Sequence, residues 1–155
     1  MADLLADAAD WFKRRKTPIQ RYYKDTHGRY AFRVRVNGQP FYVAAKKYLH
    51  GDQASFMSKL VDRAADADAF LMLFVMETGD RLIFHPVQAR ENGQPSDPTE
   101  SKRQAQGEDW LDVPTDWAVD FQRWHDDGKT PTLNQSGDDA PNRPWNVTAW
   151  GDDRD

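Results

Sequence analysis

The chain contains no cysteine among its 155 residues, which excludes disulfides, thiolate zinc sites and cysteine nucleophiles. It has no apolar run near the roughly 20 residues that span a bilayer. Its first residues carry acids where an export signal carries a basic start and an apolar centre. These absences predict a soluble, cytoplasmic protein, and the length predicts one domain with its own core.

Several enzyme motifs are also missing. No serine lies in a Gly-x-Ser-x-Gly elbow, no glycine-rich phosphate loop occurs, and the four histidines lack ligand spacing. The sequence therefore gives no support to serine hydrolases, nucleotide hydrolases or histidine-based zinc sites.

Charge is abundant but unevenly placed. The net charge is −4, yet residues 13–63 hold 13 basic and 3 acidic side chains, a balance of +10. Residues 64–155 hold 8 basic and 19 acidic side chains, a balance of −11. A basic first half predicts a nucleic-acid surface, with a merely solvated basic face as the alternative.

Apolar spacing and turn residues outline the elements. The predicted elements are helices over 3–15 and 52–66, strands over 19–24, 69–76 and 81–85, and a hairpin over 30–47 around Asn37-Gly38. Asp52 is the expected N-cap of the second helix. Further on, Trp117, Phe121 and Trp124 predict a helix over 114–128 that docks on another surface.

This order predicts an α/β protein with a mixed sheet. The expected organisation is a core over 1–86, a linker or mobile loop over 87–109, an appended amphipathic helix within 110–128, and an acidic, disordered tail over 129–155. The tail is expected to keep the protein soluble, with competition against DNA or docking on a partner protein as alternatives.

The hairpin turn fixes the register, because a two-residue Asn-Gly turn pairs residues whose numbers sum to 75. One face then collects the core residues Tyr30, Phe32, Val34, Val36, Phe41, Val43 and Ala45. The other face collects Arg29, Ala31, Arg33, Arg35, Tyr42, Ala44 and Lys46, with Ala31 opposite Ala44. Four cations on one face predict an anionic partner such as a phosphate backbone, with a tyrosine available for base stacking. Neutralisation by nearby acids is the alternative.

The hairpin, the following Gln53, the apolar strand and "LIFHP" at 82–86 together resemble the PD-(D/E)XK nuclease superfamily, in particular its archaeal Holliday-junction resolvase branch. The resemblance implies a restriction-endonuclease-like αβββαββ core and a homodimer. It places the family's Glu-x-Lys on Ala44-Ala45-Lys46 and its aspartate on Ala31, so Lys46 is kept and both metal-binding acids are replaced by alanine. Gln53 would be the helix glutamine, and Asp7 or Asp10 the acid of the first helix.

Two methyl groups cannot ligate a divalent cation, so the resemblance implies a DNA-binding protein, branched DNA included, that has lost cleavage and needs no cofactor. Natural loss and deliberate replacement of the acids both remain open. The predicted DNA contacts are Lys13, Arg14, Arg15, Lys16, Arg29, Arg33, Arg35, Tyr42, Lys46 and Lys47. The alternatives are an active Mg²⁺- or Mn²⁺-dependent endonuclease using Asp7, Asp10 or Asp52, and a protein-interaction module at the C-terminal helix and tail.

Overall fold

The computed structural model describes residues 3–25, 28–49, 51–95 and 110–127. The elements in chain order are α1 Leu4–Arg14, β1 Arg21–Asp25, β2 Gly28–Val36, β3 Gln39–Lys46, β4 Gln53–Met57, α2 Ser58–Asp66, β5 Phe70–Val75, β6 Asp80–Phe84, α3 Pro86–Asn92, β7 Gln94–Pro95, β8 Trp110–Pro114, a 3-10 helix Thr115–Trp117, β9 Val119–Asp120 and α4 Phe121–Asp127. The predicted α/β class is confirmed.

The main sheet is mixed, as predicted, and has six strands in the order β1-β2-β3-β5-β6-β9. Only β3 and β5 run parallel, and the other neighbours are antiparallel. All six residues of β5 are buried, which confirms the prediction of a strand covered on both faces. A second sheet has the order β4-β8-β7.

Each face of the main sheet has its own core. On one face lie α1 and α4, whose Phe12 and Phe121 pack with Phe32 and Phe41. On the other face lie α2, α3 and the small sheet, packed against alternate residues such as Leu73. The main sheet is therefore the middle layer of three.

Helix α1 forms as predicted. The Asp3 side chain accepts a hydrogen bond from the Ala6 backbone N–H at 3.1 Å, which caps the first turn. One stripe of the helix, including Phe12, is buried. Lys16 ends the helical segment with a positive φ of 61°.

The hairpin turn is also as predicted, since Asn37 and Gly38 both have positive φ, at 52° and 83°. The observed register runs from Val36–Gln39 to Phe32–Val43, in the predicted pairing. In the described residues the ladder ends there, and the predicted Ala31–Ala44 pair is not part of it. On its other side, Ala31 pairs with Tyr23 of β1.

An irregularity in β2 corrects the predicted faces. Tyr23 pairs with Ala31 but Lys24 pairs with Arg29, so Tyr30 is an extra residue in β2. Tyr30 packs in the core under α2, and the Arg29 guanidinium lies 4.5 Å from the ring centroid of Tyr22, on the α1 face. Both residues lie on the face opposite to the prediction, because the bulge resets the alternation of side chains.

The helix predicted over 52–66 is wrong in its first part. Residues 53–57 form β4, which pairs with β8, and the helix begins only at Ser58. Ala54 and Phe56 are buried while Gln53 is exposed, a pattern that fits a strand as well as a helix. The partner strand decides the outcome, and local spacing cannot reveal it.

The predicted linker is wrong where it is described, because α3 and β7 occupy residues 86–95. The predicted helix over 114–128 is shorter, since Trp117 lies in the 3-10 turn and α4 begins at Phe121. Phe121 and Trp124 dock on Phe41 of the main sheet, so α4 belongs to the core. The tail predicted over 129–155 lies outside the described residues.

Candidate nucleic-acid interface

The predicted cationic face of the hairpin is largely covered. Ala31 and Tyr42 are buried in the core beneath α2 and the small sheet, and Tyr42 is only 3% exposed. The prediction of an open face with a tyrosine for base stacking is therefore wrong. The cause is the small sheet, in which β4 pairs with β8 and covers this face. The sequence spacing predicts a helix over the residues of β4 and places those of β8 after a linker.

Around Tyr42 the structure assembles a different group, which we call the arginine–tyrosine cluster: Arg21, Tyr23, Arg33, Tyr42 and Arg63. The two tyrosine rings stack with centroids 5.1 Å apart and planes 21° apart. The Tyr23 hydroxyl donates to the Tyr42 hydroxyl oxygen at 3.2 Å. The stacked pair gives three arginines from β1, β2 and α2 a rigid aromatic support.

The three guanidinium groups lie against these rings. Those of Arg21 and Arg63 lie 5.2 and 4.8 Å from the Tyr23 ring centroid, and that of Arg33 lies 5.9 Å from the Tyr42 centroid. A cation–π contact of this kind contributes about 0.5–2 kcal/mol of interaction free energy, depending on the exposure of the guanidinium.

No acid among the described residues lies within ion-pairing distance of these three guanidinium groups. Arg21 and Arg33 are direct cross-strand partners in β1 and β2, a placement that is unfavourable for like charges. None of the three arginines forms an ion pair with a described residue. The cluster is therefore a site of concentrated positive charge, with Arg21 and Arg63 exposed and Arg33 half-buried.

The tyrosines do not cancel this charge. Burial raises the pKa of Tyr42 above its usual value of 10.0, and the hydrogen bond and the charge of Tyr23 act in the same direction, against the opposing effect of Arg33 and Arg63. Tyr42 is therefore neutral at physiological pH.

The basic end of α1 lies near this cluster in the chain. Lys13, Arg14 and Lys16 are exposed, and Lys16 precedes Arg21 by five residues, which span at most about 17 Å. The Arg15 guanidinium lies 3.7 Å from the Trp11 ring centroid and donates to the Trp11 carbonyl at 3.1 Å. Arg15 is thus held against its own helix.

The other predicted contacts lie elsewhere. The Arg35 guanidinium donates to the Gly38 carbonyl at 2.8 Å beside the hairpin turn. Arg29 forms an ion pair with Asp3 at 3.3 Å. Lys46 and Lys47 lie at the end of β3, where Lys47 is exposed. The ten predicted residues therefore do not share one face.

Lys46 lines a pocket of about 480 Å³ at the opposite end of β1 and β2 from Arg21 and Arg33. Its polar lining comprises Asp3, Asp25, Arg29, Lys46 and Ser55, and its apolar lining includes Ala44, Phe56, Met57, Leu60, Leu73 and Trp110. Ala44 lies in this pocket, whereas Ala31 is fully buried. The two alanines therefore do not line one common site.

The acids expected for catalysis are dispersed. Asp7, Asp10 and Asp52 are exposed, and Gln53 lies exposed on β4 opposite Pro114 instead of on a helix. Across 3–25, 28–49, 51–95 and 110–127, no three Asp, Glu, His or Cys side chains lie close enough together to hold a metal ion.

Sequence reasoning missed several residues that the structure places at these two sites, Tyr23 of the arginine–tyrosine cluster among them. Arg21 and Arg63 complete the arginine–tyrosine cluster, and Asp3 and Asp25 line the pocket. Arg21 could have been found, because it lies on the same strand face as Tyr23 in any register. Arg63 and Asp25 could not, since their positions depend on where α2 packs and on the bulge in β2.

No family model, curated protein or solved structure matches this chain. The PD-(D/E)XK assignment, the DNA partner and the homodimer therefore stay predictions. Among the helices that the structure describes, none is long and apolar enough to cross a membrane.

Proposed function

We propose that this protein binds DNA through its phosphate backbone, without cleaving it, and that the arginine–tyrosine cluster is the principal contact. The observation that carries the proposal is the direct pairing of Arg21 with Arg33 across two strands, with Arg63 on the same tyrosine support and no acid paired to any of them in the described chain. A phosphate backbone supplies the missing negative charge.

Guanidinium groups suit this partner. Their planar N–H donors match two oxygens of a phosphate, and they are more weakly hydrated than ammonium groups. The Arg21 and Arg63 groups both lie within 5.2 Å of one ring centroid, so they are close enough to contact the same or adjacent phosphates. The tyrosines contribute by positioning the arginines.

Contacts of this type do not read bases. Tyr23 and Tyr42 are 6% and 3% exposed, so neither ring is open to a base. Phosphate contacts set register and affinity but carry no sequence information. We therefore expect sequence-independent binding that weakens steeply with salt.

The absence of cleavage is proposed from Ala44. The resemblance implies an acid at this position, which lines the pocket beside Lys46, and a methyl group offers no oxygen to a metal. A metal-dependent endonuclease remains the second candidate, because Asp3 and Asp25 line the same pocket. Their carboxylates already form ion pairs with Arg29 and Lys59, at 3.3 and 3.1 Å.

One experiment separates the two candidates. Labelled four-way-junction, duplex and single-strand DNA are incubated with the full chain, with and without Mn²⁺, and both binding and cutting are measured. We expect binding to at least one form and no cutting of any. Mn²⁺-dependent cutting that is lost in Lys46→Gln would establish the endonuclease, and no binding at low salt would reject both.

A further inference from the structure

The pocket at the end of β3 has the make-up of a ligand site. Its volume of about 480 Å³ falls within the range of roughly 300–1,000 Å³ that small organic ligands occupy. It is formed by the first residues of α1, by strand ends of the main sheet and by β4 and β8 of the small sheet. The described layers therefore enclose it from several sides.

One part of the pocket suits a planar ring. Phe56, Met57, Leu60 and Leu73 provide a buried apolar surface. Tyr30 and Trp110 also line the pocket and are only half-buried, so part of each aromatic side chain remains accessible. Aromatic side chains of this kind stack on nucleobases by about 1–3 kcal/mol per base.

Another part suits an anion. Lys46 is half-buried in the lining, and the lining also includes Arg29, whose guanidinium forms an ion pair with Asp3. Ammonium and guanidinium groups are the usual donors to phosphate oxygens. The pocket thus combines cationic groups with an aromatic and apolar surface.

A buried carboxylate supplies the third feature. The Asp25 side chain is only 10% exposed, and the Lys59 ammonium lies 3.1 Å from its carboxylate oxygen. An ionised carboxylate is a hydrogen-bond acceptor, which is the group that the ring N–H or amino group of a base requires. A nucleotide is the ligand class that presents a phosphate, a planar ring and such donors together.

We propose that this pocket binds a single unpaired nucleotide, with the phosphate at Lys46 and the base against Trp110 and Tyr30. The inference rests on the proposed DNA binding. It adds a second site, this pocket, which binds one unpaired nucleotide of the nucleic acid. An unpaired nucleotide arises either as a free nucleoside monophosphate or at the end of a strand, where a mismatch lowers the cost of extruding it.

The test for a free nucleotide is calorimetric titration of the full chain with deoxyadenosine monophosphate, deoxyribose 5-phosphate and inorganic phosphate. We expect saturable binding of the nucleotide, about tenfold tighter than of deoxyribose 5-phosphate, since only the nucleotide carries a stacking base. Lys46→Gln should weaken nucleotide binding about tenfold, whereas Lys24→Gln, an exposed lysine outside the lining, should not. Ala44→Leu, which fills the pocket, gives a second variant whose folding is checked by circular dichroism.

The test for a strand end uses two duplexes of equal length and charge, one with a mismatched and one with a paired terminal base pair. Tighter binding of the mismatched end, lost in Lys46→Gln, assigns the site to DNA ends, while nucleotide binding without that preference assigns it to free nucleotides. Equal affinity for deoxyribose 5-phosphate and the nucleotide, or neither nucleotide binding nor end preference, would overturn the pocket assignment. Duplex binding that still depends on Arg33 would then leave the proposed DNA binding intact.

Discussion

At the scale of single residues, the cross-strand pair Arg21–Arg33 is the feature that a purely structural role explains least. Like charges directly opposite in a sheet lower stability, and no acid among the residues that the structure describes forms an ion pair with Arg21 or Arg33. Residues retained for binding often cost stability in this way. The pair should therefore favour binding at the expense of folding.

The substitution Arg21→Gln tests this balance. Arg21 is exposed on the edge strand β1, so removing its charge relieves repulsion without opening the core. We expect the free energy of unfolding in urea to stay the same or rise by about 0.5 kcal/mol, while DNA binding weakens severalfold. A loss of more than about 1 kcal/mol would mean that Arg21 stabilises the fold.

Tyr42 gives a prediction of pH dependence. Its folded pKa is raised above 10.0, chiefly by burial, so the folded state retains the phenolic proton more strongly than the unfolded state. The resulting stability is complete below pH 10 and is lost as the pH rises through the folded pKa.

Tyr42→Phe should therefore cost about 1 kcal/mol at neutral pH, where it removes the hydroxyl pair with Tyr23. Above pH 10 the difference in the free energy of unfolding between the parent and Tyr42→Phe should shrink, because only the parent can ionise at this position. Urea unfolding from pH 7 to pH 11 measures this, with Tyr48→Phe, at an exposed site, as the control. A difference that does not change with pH would contradict the assignment.

At the scale of elements, local sequence signals are sufficient to predict an element where interactions between residues near in sequence determine its conformation. The Asn37-Gly38 turn set the hairpin register, and Asp3 with the apolar stripe of α1 set the first helix. The helix predicted over residues 53–57 is wrong because their apolar spacing fits both a helix and a strand, and pairing with β8 decides between the two. The predicted faces of Arg29 and Tyr30 are wrong for a similar reason, since the bulge at Tyr30 depends on how β1 pairs with β2.

The same limits apply to the candidate site. Arg33 and Tyr42 were predicted as contacts, and the structure places them together in the arginine–tyrosine cluster. Arg63 reaches that cluster only because α2 packs on the face of the main sheet that carries Tyr23 and Tyr42. Short-range spacing predicts which residues share a strand face, but it cannot predict what covers that face.

Helix α4 offers a test at this scale. Trp124 is 7% exposed and packs on Phe41 with a ring-centroid distance of 5.1 Å. Trp124→Ala should lower the free energy of unfolding by about 3 kcal/mol, as for other buried aromatic side chains. His125→Ala, an exposed neighbour on the same helix, is the control and should change it by less than about 0.5 kcal/mol. Equal effects would show that α4 is an appendage.

At the scale of the whole molecule, the two proposed binding sites lie at opposite ends of the same strands. The arginine–tyrosine cluster lies where β1 begins, near the basic end of α1, and the pocket lies where β1 ends. Both faces of the main sheet are covered, so the proposed binding sites lie at the margins of the three layers. The charge balance of +10 over residues 13–63 favours approach of a polyanion to this half.

The most direct test of the proposed function is the salt dependence of duplex binding for the parent, for the double variant Arg33→Gln with Arg63→Gln, and for Arg90→Gln. Arg90 is an exposed arginine on α3, paired with Asp62 and outside the cluster. We predict that the slope of log K against log salt becomes less steep by about 1 for each cluster arginine removed and is unchanged in Arg90→Gln. An unchanged slope and affinity in the double variant would contradict the claim that this cluster binds the phosphate backbone.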